Sequence, residues 1–139
     1  MDNHTPSALQ QEWTTLQYQY DSYEKFSLLI KLASGILCSL LLFHVQLDFI
    51  VPLLCIVFWM LDGIWKTFQG RISDRLLIIE KALLNPMQDN GMQYNSQWEF
   101  SRPSSMRLVA SYLKNALTPT VVAPHILIIV IAVIGAYIS

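Results

Sequence analysis

Three long apolar stretches constrain this chain more than any other feature. They run from about Phe26 to Val45, from Phe49 to Trp65 and from about Thr118 to Ile138. As helices rising 1.5 Å per residue, each falls in the range that crosses about 30 Å of hydrocarbon. Charged residues make up 14% of the chain and hydrophobic ones 53%, where a soluble domain carries about 25% charge. The mean hydropathy is +0.39. The pattern predicts an all-α membrane protein with three spans in a single domain, 1–139. The first 25 residues are polar, so no cleavable signal peptide is expected and the first span is an uncleaved anchor.

Lysine and arginine placement gives the orientation. Seven of the nine basic residues, Lys66, Arg71, Arg75, Lys81, Arg102, Arg107 and Lys114, lie between the second and third stretches. Lys25 and Lys31 lie at the start of the first, and none lies at 46–48 or after the third. The positive-inside rule then places the N-terminus and residues 66–117 in the cytoplasm and the C-terminus outside, as in a bacterial inner membrane. That orientation keeps the sequon Asn3-His4-Thr5 out of any secretory lumen.

The first two stretches are joined by only a few residues, 46–48, which forces an antiparallel hairpin. Thr5-Pro6 reads as a helix start. From there a helical stripe runs Leu9, Trp13, Leu16, Tyr20, Tyr23, Ser27, Lys31, Ser34, Cys38, and predicts one helix from Pro6 to His44, about 58 Å long. A second stripe, Val51, Cys55, Phe58, Asp62, Trp65, Gln69, Ile72, Leu76, Ile79, Leu83, predicts another that stops before Asn85-Pro86, with Gly70 as a possible bend. The parts outside the membrane, 5–25 and 66–85, then form coiled-coil-like cytoplasmic arms. With the turn centred between Gln46 and Leu47, residues whose numbers sum to 93 lie at equal depth. Lys31 with Asp62, and Cys38 with Cys55, satisfy that sum.

Lys31 and Asp62 are charges inside apolar runs, where an unpaired charge costs several kcal/mol. One reading is an ion pair that fixes the hairpin register; the other is a proton or cation site at Asp62 gated by Lys31. His125, after Pro124 in the third stretch, is placed to satisfy a backbone carbonyl freed by proline or to reach Asp62. His44 and Asp48 read as a helix end and a helix cap. The two cysteines read as small packing residues rather than a disulfide, and Ser34, Gly35 and Ser39 as a surface admitting a neighbouring helix closely.

Residues 86–103 read as a polar connector bounded by Asn85-Pro86, Asn90-Gly91 and Arg102-Pro103. Its aromatic residues Tyr94, Trp98 and Phe100 either pack on the arms or headgroups, or form a partner-docking patch. Residues 104–117 read as an amphipathic helix with Met106, Val109, Leu113 and Leu117 on one face and Arg107 and Lys114 near anionic headgroups.

No phosphate-binding glycine loop, dinucleotide fingerprint, zinc-protease or CxxC motif, or nucleophile elbow is present. The histidines His4, His44 and His125 fall at different depths, so no metal site or cofactor is expected. The net charge of −1 argues against a nucleic-acid partner. These features point to a non-enzymatic scaffold or accessory subunit of a membrane complex, in contact with lipid and with copies of itself or another membrane protein. A homo-oligomeric ion- or proton-conducting pore and a small transporter subunit are the alternatives.

Overall fold

A computed structural model describes residues 7–44, 50–85 and 91–138, which form five helices and, among the described residues, no strand. Helix α1 spans Ala8–His44 and α2 spans Ile50–Leu84. The Thr5-Pro6 start, the sequon, the 46–48 turn and Asp48 lie outside the described residues. The N-terminal cap of α1 is Ser7. Its hydroxyl accepts the Gln10 backbone N–H at 3.3 Å, and the Gln10 side chain accepts the Ser7 N–H at 2.9 Å. This reciprocal S-x-x-Q pairing satisfies donors that the first turn leaves open.

The two stripes meet much as the spacing predicts. Leu9, Leu16, Ile72, Leu76, Ile79 and Ala82 form one buried cluster, with Trp13, Tyr20, Tyr23 and Tyr94 against it. Nearer the turn, Cys38, Val51 and Cys55 form a second cluster with Ala132. One position departs from the expected stripe: Ala82, three residues after Ile79, is buried, whereas Leu83 is exposed. A 3.6-residue turn carries the buried face between the two. The helix passes through Gly70 unbroken. Pro52 is tolerated because it lies in the first turn, where an intrahelical donor is not needed.

Cys38 and Cys55 stand at equal depth as their numbers imply, and their sulfurs face each other between α1 and α2, with Cα atoms 7.0 Å apart, inside the second apolar cluster.

Within the predicted connector, Tyr94–Ser101 forms a short helix, α3. Gly91 precedes it in the left-handed region at φ 77°, where a Cβ would stand 3.0 Å from the backbone of Ala8 and Leu9. Only glycine fits both conditions there. Helix α4, Ser105–Ala116, and α5, Pro119–Ile138, follow, with an angle of 67° between α4 and the Pro119–Gly135 part of α5. Helix α2 is central and packs on α1, α4 and α5, while α5 also packs on α1. Among the described residues, α2 is the one helix clearly long and apolar enough to cross a membrane, and α4 with α5 qualifies as a second if the bent pair is counted as one span.

Candidate functional site

Helices α1, α2 and α5 meet at Asp62, which is fully buried. The α1 stripe delivers Ser27 and Lys31 one turn apart on the face toward α2, and α5 delivers His125 just after Pro124. The Ser27 hydroxyl donates to Asp62 Oδ1, and Lys31 Nζ lies 2.9 Å from Oδ2. Lys31 also donates to Ser27 Oγ at 2.6 Å. His125 Nε2 lies 3.2 Å from Asp62 Oδ2, and the imidazole is itself fully buried. A carboxylate only accepts, so Nε2 carries the proton in this contact. His125 Nδ1 has no hydrogen-bond partner, and neither does the buried Ser34 hydroxyl one turn beyond Lys31.

Every charge in this cluster is matched within it. An isolated ion at such burial is untenable, whereas a carboxylate with three donors is satisfied. A cleft of about 190 Å³, lined by Glu24, Ser27, Lys31, Lys66, Gln69 and Thr120 among others, reaches the cluster from the side of the arms. Lys66 donates to Gln69 there at 2.7 Å. Towards the turn the surroundings become apolar.

The sequence brought Lys31, Asp62 and His125 forward, and the structure unites them. Ser27 lay on the stripe, but its role as the fourth member was not drawn from spacing. A second buried charge pair went unread. Arg75 donates from Nε and a terminal nitrogen to the two oxygens of Glu12, both at 2.9 Å, and from its other terminal nitrogen to Gln97 at 2.8 Å. Glu12 also accepts the Met92 backbone N–H. The signal was available. Glu12 falls between Leu9 and Leu16, and Arg75 between Ile72 and Ile79, at the spacing of their stripes. A charge at such a position calls for a buried partner.

The three aromatic residues separate. Tyr94 packs against the arm cluster. The ring of Trp98 lies under the Arg71 guanidinium, whose carbon is 3.3 Å from the ring centroid, a cation–π contact. Phe100 points outward, 96% exposed. Burial pushes the Tyr94 phenol above its ordinary value of 10.0, while the Arg71 charge opposes the shift. Helix α4 approaches α2 most closely where a Cβ on Gly63 would stand 2.6 Å from Ala116 Cβ. Asn115 donates to Thr67 at 2.8 Å, and Trp59 Nε1 donates to the Ala116 carbonyl, at the end of α4 where intrahelical donors run out, also at 2.8 Å.

Among the described residues, no group of three His, Cys, Asp or Glu side chains is placed to hold a metal ion. No family model, curated protein or solved structure matches this chain.

Proposed function

We propose that this chain is a non-enzymatic scaffold or accessory subunit of a membrane complex, crossing the bilayer with α5 and the turn-proximal halves of α1 and α2. The observation that carries this reading is an inversion of polarity along the hairpin. In the half nearer the turn, Ser27, Ser34, Asp62 and His125 are buried, while Leu28, Leu29, Leu32, Ile36, Leu40, Leu53, Leu61, Leu127 and Ile131 are exposed. Water would hydrate the buried groups and reject the exposed ones, whereas hydrocarbon favours this arrangement. The other half buries an apolar cluster beside the Glu12–Arg75 pair and exposes mostly polar side chains, with Tyr18, Leu77 and Leu84 as exposed exceptions.

On this reading the polar cluster fastens α1, α2 and α5, and the positive-inside rule sets the arms and α3 in the cytoplasm. There Phe100 stands clear of the fold as an anchor for a partner, since large aromatic side chains dominate binding energy at interfaces. The test is crosslinking in native membranes, followed by the mass of the complex in nanodiscs. A discrete larger species that is lost on Phe100→Ser supports the scaffold. An isolated monomer at every crosslinker concentration refutes it.

One observation favours a second reading, proton conduction: a buried histidine on Asp62 with its other nitrogen unpartnered, next to a cleft open on the arm side. Reconstituted protein would then dissipate a proton gradient, and His125→Gln would abolish the flux. Tight liposomes between pH 5 and 8 would eliminate this reading.

A further inference from the structure

Helix α4 has two faces with different surroundings. One is fixed to α2 through Asn115, Ala116 and the Trp59 indole. The other carries Met106, Val109, Leu113 and Leu117, which are 85%, 53%, 51% and 65% exposed. Their spacing of three and four residues makes one continuous apolar stripe, and none of the described residues covers it. Arg102, Arg107 and Lys114 are exposed along the same segment, and from Arg102 to the C-terminus the sequence contains no Asp or Glu. The stripe runs through Leu117 into the exposed apolar surface of α5, beginning at Ile126 and Leu127.

We infer that α4 is an interfacial helix seated in the headgroup layer of an anionic leaflet, its stripe at the acyl boundary and its cations on lipid phosphates. This rests on the membrane reading above. The 67° angle decides the geometry. With α5 across the bilayer, α4 is turned far toward the membrane plane, at the depth where α5 begins. An amphipathic helix with basic residues beside its apolar face binds there by apolar burial plus attraction to anionic lipid. A water-facing surface would leave the stripe unburied. A protein partner would need acidic complementarity to three cations, whereas an anionic leaflet supplies it along the whole length.

The full chain is tested in nanodiscs of phosphatidylcholine, with and without phosphatidylglycerol, carrying single spin labels in a Cys38→Ser/Cys55→Ser background checked by circular dichroism. Labels go at Val109 and Leu113, with Leu127 as the lipid control and Asn95 as the water control. Oxygen should relax the labels at 109 and 113 as it does at 127, while a water-soluble nickel chelate reaches only 95. Adding phosphatidylglycerol should raise the oxygen-to-nickel ratio at 109 and 113, and Arg102→Gln/Arg107→Gln/Lys114→Gln should remove that rise.

Nickel access at 109 and 113 with Leu127 still in lipid overturns the inference and spares the membrane reading. Nickel access at Leu127 as well overturns both. Low access to both reagents at 109 and 113 means protein cover, and sinks the lipid assignment. An unchanged ratio on adding phosphatidylglycerol overturns the anionic requirement. If the cysteine background misfolds, a photoactivatable lipid acting on the wild-type chain replaces it. It should label Met106, Val109 and Leu113 and spare Asn115, and the reverse pattern overturns the seating.

Discussion

Asp62 and Lys31 are not equivalent partners, because the carboxylate has two further donors and the ammonium has only Ser27 besides it. Asp62→Leu leaves a part-buried cation without the carboxylate it pairs with and should destabilise the fold by about 2–4 kcal/mol. Lys31→Leu leaves Asp62 with the Ser27 hydroxyl and the His125 imidazole as hydrogen-bond partners, so its effect should be smaller. The double variant should be less destabilised than Asp62→Leu alone, since both uncompensated charges are gone. Thermal unfolding in nanodiscs measures all three. A double variant as unstable as Asp62→Leu would mean the two side chains do not sense each other. At Gly63, alanine forces its Cβ onto Ala116 and should cost about 1–3 kcal/mol. Ala116→Gly should not rescue it, because the Ala116 Cα and N lie 2.9 and 3.1 Å from the same point. Lys31 and Asp62 were legible because a charge in an apolar run stands out against its neighbours. Gly63 was not, since nothing in a sequence tells a glycine needed for helix contact from one such as Gly70, which has open space beside it.

The long helices could be read from periodicity because each presents the same face for many turns. Helix α3 could not. Its eight residues, YNSQWEFS, carry no apolar period, and it has no buried residue of its own. It is held from outside by Gln97 on Arg75, by Trp98 under Arg71, and by the Glu12 carboxylate on Met92 N–H just before it. Glu12→Gln weakens two of these links at once and removes the carboxylate that Arg75 grips with two nitrogens. We expect a loss of about 3–5 kcal/mol, and faster proteolysis in 91–103 than in α1 or α2. Tyr94 gives the same element a pH response. Its phenol is raised in the folded state, so folding favours the neutral form. The stability it contributes is complete below about pH 10 and is lost as pH climbs through the raised value. Tyr94→Phe, which cannot ionise, should keep α3 docked to higher pH than the wild type, as followed by tryptophan fluorescence. Equal alkaline transitions would disprove that role for the phenol.

For the molecule as a whole, the polarity inversion and the nine basic residues predict opposite exposure of its two ends. In right-side-out vesicles, a membrane-impermeant thiol reagent should modify Tyr137→Cys and spare Asn95→Cys until the vesicles are opened. The opposite result would invert the topology. Distance along the chain between the members of the buried cluster also bears on how such a protein is made. His125 follows Asp62 by 63 residues, so the ribosome has released Ser27, Lys31 and Asp62 well before the imidazole exists. On the membrane reading proposed above, the emerging hairpin can leave the insertion machinery electrically neutral, because Lys31 offsets Asp62 without waiting for α5. Helix α5 arrives with no Lys, Arg, Asp or Glu to desolvate and with His125 to meet Asp62. On that reading translation order matches the order of need: charge compensation comes first, and His125 then meets Asp62 as α5 docks.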